Sequence, residues 1–340
     1  MSRRHRRRLT ALLVAALAMT GAACTDEGEP ERQSQRLDVV VNIFPLRWLA
    51  EQIGGDLVDV RMIEADPHEE ELSQADRDLI GRADANLFAL NLSKDLHDAL
   101  DAWRTGNPER KQGDPAVYDI SSLSALDLRK GPPDLEDDLI NGELDPHFWT
   151  DPRDRIRIAA EWVKNQLVSA VAFDDALKQD AEEHRKHLVN RMTEVVNRLA
   201  ALDEELKVIL RKCAGKDRVI VPEHPAFGYF AETYGLRQLP VTRMLKGELG
   251  PLELQEQKEE LATLFKGDLK PAFFYAIDAE QLESSREQLT NLATEHFATP
   301  GSLDSLEREP AVLKSDGTTM DYIEGMRWNA RNVAEELGCA

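Results

Sequence analysis

One pattern occurs twice in this chain, and it restricts the fold more than any other feature. Val39-Val40-Val41-Asn42-Ile43 is an apolar, mostly β-branched run that passes through Phe44-Pro45 into Leu46–Ile53, whose apolar positions are spaced as a helix face, and stops at Gly54-Gly55. Much later, Val219-Ile220-Val221-Pro222 passes through Glu223-His224-Pro225 into Ala226–Thr233 and stops at Gly235. Under one constant offset Val39 meets Val219, Pro45 meets Pro225 and Gly55 meets Gly235. A strand, a proline-started helix and a terminal glycine in the same register imply two lobes of similar architecture.

The alternation continues after the first copy. Val58–Ile63 reads as a strand, Ser73 as the N-cap of a helix reaching about Arg82, and Asn86–Leu90 as a further strand. Strand and helix in alternation are the signature of an α/β fold with mainly parallel sheets. Asp151-Pro152 resembles a helix start, with an acidic cap and proline at the first helical position. From Asp175 to Lys212 there is neither glycine nor proline, and Leu188, Met192, Val195 and Leu199 recur at three- and four-residue steps. A helix of that length runs roughly 50–55 Å at 1.5 Å per residue, which suits a rigid spine between lobes. Residues 127–143, with Gly131, Pro132, Pro133 and many acids, read as a solvated surface loop. The expected organisation is an export signal at 1–23, a tether at 24–37, an N-terminal lobe at 38–174, the linking helix at 175–212 and a C-terminal lobe at 213–340.

The signal is expected from Arg3, Arg4, Arg6, Arg7 and Arg8, followed by the uncharged stretch Leu9–Ala23 and then Cys24. A basic head, a short apolar run and small residues mark export, and the run is too short to span a bilayer comfortably. Small residues directly before Cys24 resemble a lipoprotein signal, with cleavage before Cys24 and a lipid on its thiol. Residues 25–36 are polar and aperiodic, as a tether would be. The chain carries a net charge of −21, and loss of the signal arginines makes the remainder more acidic still. Such a body repels nucleic acid and anionic lipid and draws cations toward it. Lipidation of Cys24 leaves Cys213 and Cys339, an even pair in an oxidising compartment, expected to bridge.

Chemistry is concentrated in histidine. Two of the eight histidines stand in the same tripeptide, Asp66-Pro67-His68 and Asp145-Pro146-His147, and His224 lies between Glu223 and Pro225. Each falls in a loop beside a strand end or helix start, where α/β folds place binding residues. Proline stiffens each loop, and the preceding acid is placed to accept the other ring N–H, fixing the tautomer. Neutral imidazole suits zinc and other late first-row metals. His184 and His187, on the charged face of the long helix, read as solvated residues, and His97 as a surface residue. Trp48, Trp103, Trp149, Trp162 and Trp328 read as core or cleft wall. No glycine-rich phosphate loop, Gly-x-Ser-x-Gly elbow or His-Glu-x-x-His helix occurs.

Four segments, VVVNIFPLRWLAEQIGG (39–55), DPHEEELSQADRDLIGRAD (66–84), LDPHFWTDPR (144–153) and HPAFGYFAETYGL (224–236), together resemble the zinc/manganese-binding solute receptors of bacterial ABC importers, the ZnuA/TroA-like family. The resemblance runs from about residue 38 to the end. It implies two α/β lobes joined by a long rigid helix with the metal in the cleft between them. His68 and His147 are then the first-lobe ligands and His224 the second-lobe ligand. The implied cargo is zinc first and manganese second, and the implied partner is the permease of a metal importer. The protein would be a monomer that binds no nucleic acid and touches the membrane through its lipid alone.

One departure from the family pattern stands out. The family often supplies an aspartate ligand from a late strand ending Leu-Asp-Pro; aligned on His296-Phe297-Ala298-Thr299-Pro300-Gly301, that position is Thr299. A glutamate common in the preceding strand is replaced within Phe273-Phe274-Tyr275-Ala276. Water is then the first candidate for the fourth ligand, followed by Asp304, His296 and Glu69. Two other functions compete. A zinc hydrolase would use three histidines and a water with Glu223 or Glu69 as base, and a surface adhesin or scaffold would have lost metal binding.

Overall fold

In the computed structural model, residues 36–64, 72–89, 97, 116–130, 144–213, 218–239, 259, 262, 271–277 and 283–340 are described. Among them, eight strands form two separate four-stranded sheets. The first comprises β1 (Leu37–Val41), β2 (Val58–Met62), β3 (Ala85–Phe88) and β4 (Ala116–Asp119) in the order β2-β1-β3-β4. The second comprises β5 (Val219–Pro222), β6 (Arg237–Gln238), β7 (Ala272–Ala276) and β8 (Gly301–Leu303) in the order β6-β5-β7-β8. Every pairing in both sheets is parallel. The two copies of the repeated sequence pattern therefore occupy the same place in two sheets of the same topology. In each, the order reverses between the first and third strands, the switch point at which open parallel sheets bind ligands beyond the strands' C-terminal ends.

The first helix, α1 (Phe44–Gly54), follows β1 directly. Its apolar face, Leu46, Leu49, Ala50 and Ile53, is fully buried, each large side chain contributing about 1.5–3 kcal/mol. Gly55 ends it at φ +56, a conformation in which a Cβ is strained. α2 (Gln74–Arg82) begins with a capping box in which Ser73 Oγ accepts the Asp76 N–H and the Asp76 carboxylate accepts the Ser73 N–H. The helix expected at Asp151-Pro152 begins later, as α3 (Arg155–Phe173). Asp151 does bond forward, accepting from the Arg153 and Asp154 N–H groups, but the intervening residues form turns rather than helix.

The spine, α4 (Ala181–Arg211), is 31 residues, about 46 Å long. It starts later than Asp175 because the Asp174 carboxylate accepts the Ala176 and Leu177 N–H groups and holds a turn there. Its apolar stripe, Leu188, Val195, Leu199, Leu202, Leu206 and Leu210, is buried. α5 (Gly228–Tyr234) follows β5 and is stopped by Gly235 at φ +66; α6 (Glu283–Glu295) and α7 (Tyr322–Glu336) complete the second lobe. A continuous apolar core that includes Val39, Trp149, Leu202, Phe227 and Tyr322 joins both lobes to the spine.

Cys213, just beyond α4, and Cys339, just beyond α7, are disulfide-bonded, with Cα atoms 5.0 Å apart. No helix among the described residues is long and apolar enough to cross a membrane. The export signal, Cys24 and the tether up to residue 35 lie outside the described residues, as does 131–143 of the acidic loop. Lys130 and Leu144, which flank residues 131–143, pair in an isolated antiparallel bridge.

Candidate metal centre

Three side chains meet in the interior between the lobes: His147, His224 and Glu307. His147 comes from the loop Leu144–His147, before a single 3-10 turn at Phe148–Thr150. His224 follows β5, and Glu307 follows β8, so both stand at C-terminal strand ends. The three are 1 %, 8 % and 7 % exposed, respectively. His147 Nε2 lies 3.0 Å from Glu307 Oε1, His224 Nε2 lies 3.0 Å from the same oxygen, and the two Nε2 atoms are 3.2 Å apart.

That triangle has the size of a coordination face. Four ligands at ~2.0–2.1 Å from a tetrahedral metal stand about 3.3–3.4 Å from one another, close to the observed edges. Each corner offers one ligand atom. Two imidazoles and a carboxylate are also the donor types that late first-row divalent ions favour.

The supporting contacts fix His147 most firmly. Its Nδ1 lies 2.7 Å from Asp145 Oδ1, and its backbone N–H donates to that same oxygen at 3.0 Å. An ionised carboxylate only accepts, so Nδ1 carries the proton and Nε2 is left for the site. Asp145 is held in turn: its N–H donates to the Arg129 carbonyl, and its own carbonyl accepts the Tyr229 hydroxyl at 2.7 Å. Tyr229 belongs to the second lobe, and its hydroxyl also accepts the Arg129 N–H at 2.9 Å. The guanidinium of Arg155 lies 4.4 Å from its ring centre, a favourable cation–π distance. Gly228 lies close beside this cluster: a Cβ there would fall 2.1 Å from Arg129 Nη1 and 2.8 Å from Asp145 Oδ2, so a side chain would displace the Arg129 guanidinium and press on Asp145.

Burial opposes charging His147, but the hydrogen bonds to Asp145 and Glu307 outweigh it and push the imidazole up to about 9. Without metal, a proton therefore occupies the place a cation would take. Burial pushes the Glu223 carboxyl up, though the N–H of Ala276, 3.2 Å from Oε2, partly offsets it.

Of the residues expected from sequence, His147 and His224 come together. His68, with Asp66 and Glu69, lies outside the described residues. The expectation for Thr299 is corrected. It is exposed and precedes β8, at the opposite end of the strand from the site. The strand is Gly301–Leu303, so the Leu-Asp pair that closes it is Leu303-Asp304, and Glu307 follows on the same loop. Asp304 is buried and organises that loop, Oδ1 accepting the Leu306 N–H and Oδ2 the Ala311 N–H. His296 stacks on the Phe273 ring instead, with ring centres 6.0 Å apart. Neither His184 nor His187 belongs to a metal-holding group among the described residues. Trp149 forms a wall, its ring edge-on to His147 at 5.2 Å.

Comparison with known proteins identifies the family and the fold. The family model described as ZnuA, zinc-uptake complex component A, periplasmic, matches residues 39–336. The high-affinity zinc uptake system protein ZnuA of Bacillus subtilis (strain 168) is 26% identical over 339 residues, covering 96% of this chain and 96% of that protein. The iron ABC transporter substrate-binding lipoprotein MtsA of Streptococcus pyogenes serotype M1 is 24% identical over 323 residues, covering 93% of each. Among solved structures, the laminin-binding protein Lmb of Streptococcus agalactiae, described as bifunctional with adhesin and metal transporting activity, superposes with a TM-score of 0.65. It is 22% identical, with 89% of this chain and 100% of that one covered, and it speaks for the fold. With nearly the whole described body inside the family match, the chain belongs to the ZnuA family of periplasmic zinc-uptake components.

Proposed function

We propose that this protein is an extracytoplasmic receptor that captures a divalent transition metal and delivers it to the permease of an ABC importer. His147, His224 and Glu307 are its ligands, with His68 the further ligand that the resemblance implies. Zinc is the first cargo and manganese the second. An octahedral face would have edges similar to a tetrahedral one, so the choice rests on donor type: two imidazoles with one carboxylate favour zinc over the harder, oxygen-seeking manganese. Cys24, lipidated, would hold the receptor at the membrane surface, and its strongly acidic body would raise the local cation concentration.

The observation that carries this reading is the buried triangle of Nε2, Nε2 and Oε1 atoms with edges of 3.0–3.2 Å. The family is one of solute-binding proteins, not enzymes. A hydrolase would need a base free to work on a metal-bound water. Of its two candidates by sequence, Glu223 accepts the Ala276 N–H with one oxygen and Glu69 lies outside the described residues. The test is a chelator-competition titration of the purified full chain with zinc and with manganese. One tightly held zinc per chain is expected, with strong weakening in His147→Ala, His224→Ala and Glu307→Ala. If any two of these variants hold zinc as tightly as the parent, the assignment is wrong.

A further inference from the structure

The loop that carries Glu307 belongs by sequence to the second lobe, yet the first lobe holds it in place. Its backbone hydrogen-bonds there at two buried points. The Trp149 Nε1–H donates to the Ser305 carbonyl at 2.8 Å, and the Phe44 N–H donates to the carbonyl of Glu307 itself at 2.8 Å. The second contact has a physical cause in α1. Ile43 provides no side-chain cap and Pro45 has no N–H, so the Phe44 donor at the helix start needs an acceptor from elsewhere. The backbone of a ligand residue supplies it. Farther out, Arg308 Nη2 reaches the Glu64 carbonyl at 3.5 Å, a long contact. Arg47, one turn into α1, places Nη1 2.9 Å from Glu309 Oε1.

These contacts differ in what loosening them demands. The Trp149 and Phe44 bonds lie in the packed interior. Arg47 and Glu309 are 31 % and 52 % exposed, so their ion pair is a solvent-facing fastening of this loop on α1. Among the described residues, His147, His224 and Glu307 are all almost fully buried, so an ion held by them is shielded from solvent. Residues 304–309 carry Glu307, so any movement of this loop away from α1 carries that carboxylate away from His147 and His224.

Building on the receptor assignment above, we propose that Arg47 and Glu309 are positioning residues for Glu307, and that their ion pair latches this loop on α1 and slows the escape of bound metal. Neither side chain touches the ligand atoms, so the ligand set and stoichiometry do not depend on them. The latch acts on the rate of opening. Exposed pairs of this kind are modest in strength and weaken in salt, so the effect is several-fold.

The experiment measures zinc release from the loaded full chain into excess chelator by stopped flow, for the parent, Arg47→Gln, Glu309→Gln and the double variant. Glu51→Gln is the control, because Arg47 Nε also bonds Glu51 Oε1 at 2.8 Å within α1. Release should quicken about 2–5-fold in each single variant, and the double variant should be no faster than the faster single one. Glu51→Gln should stay near the parent, and all should bind one zinc. Added salt should speed release from the parent and leave Glu309→Gln little changed. Equal release rates in parent and both single variants, or fully multiplicative effects in the double variant, would overturn the latch while leaving the receptor assignment standing. A parent that takes up no zinc would overturn that assignment, and the latch with it.

Discussion

His224 Nε2 and Glu307 Oε1 stand 3.0 Å apart although one follows β5 and the other follows β8. Two strand ends of one parallel sheet are thereby tied through a site that His147 completes from the other lobe. The carboxylate is the single negative group in the triangle, so it supplies both a lone pair and the charge attraction that two neutral imidazoles lack. Glu307→Ala should therefore lower zinc affinity by on the order of 100-fold, at least as much as losing a supporting partner costs such sites. Thr299→Asp, at an exposed position before β8, should leave zinc and manganese affinity unchanged. Competition titrations of the two variants side by side check both outcomes. A Thr299→Asp variant that gains affinity would move the carboxylate position away from Glu307.

The supporting residues make a second prediction. Asp145 Oδ1 accepts both the Nδ1–H and the backbone N–H of His147. Asp145→Asn keeps the shape but removes the charge that makes Nε2 more basic and fixes the tautomer. Zinc affinity should fall by about 10–100-fold, with the melting temperature of the zinc-loaded chain lowered accordingly and one zinc still bound at saturation. Calorimetric titration of this variant decides the matter, and an affinity equal to the parent's would show that the tautomer is held by something else.

The residues explain why part of this site was legible in the sequence and part was not. His147 and His224 were readable because each sits in a proline-stiffened loop at a strand or helix boundary, and boundaries survive in local pattern. The repeated strand–helix opening likewise reported two sheets of one topology, and Ser73 reported its helix start. Glu307 was not readable from local pattern. It stands in Glu307-Arg308-Glu309, in a chain with 63 acidic residues, and such a run has the look of a solvated loop. Only tertiary placement distinguishes Glu307, nearly buried, from Glu309, half exposed. The usable signal was Leu303-Asp304, which matches the strand-closing Leu-Asp of the family pattern. Aligning that pattern on Thr299 put the strand end where β8 has yet to begin.

A third prediction concerns the bond between Cys213 and Cys339. It joins the end of the spine to the chain's last residues, across a sequence separation of 126. α7 is also fastened to the spine by Arg327 Nε and Glu205 Oε1 at 2.7 Å, so the native packing does not depend on the disulfide alone. Cross-linking so long a loop restricts the unfolded chain more than the folded one. The double variant Cys213→Ser/Cys339→Ser should lose about 2–5 kcal/mol of stability without losing zinc stoichiometry. Denaturant unfolding of both proteins without metal measures the difference. An unchanged unfolding midpoint would mean that the bond restrains nothing the fold does not already hold.

The last prediction follows from the proton that His147 holds without metal. Burial disfavours the charged imidazole, yet Asp145 and Glu307 together push it up to about 9. A group raised above its ordinary value, about 6.5 in the unfolded chain, contributes stability that is fully present below pH 6.5 and is lost as pH rises through 9. The metal-free protein should therefore melt at progressively lower temperature from about pH 6.5 to 9.5. Zinc reverses this trend, because the ion must displace the proton from Nε2. Near pH 7.5 each zinc bound should release about one proton from His147, and affinity should rise by close to tenfold per pH unit until about pH 9. Calorimetric titrations in two buffers of different ionisation enthalpy count the protons directly. His147→Gln should abolish both the pH trend of the metal-free protein and this proton's release. Zinc binding that releases no proton at pH 7.5 would show that Nε2 is already bare, and that Asp145 and Glu307 do not outweigh the cost of burying the charge.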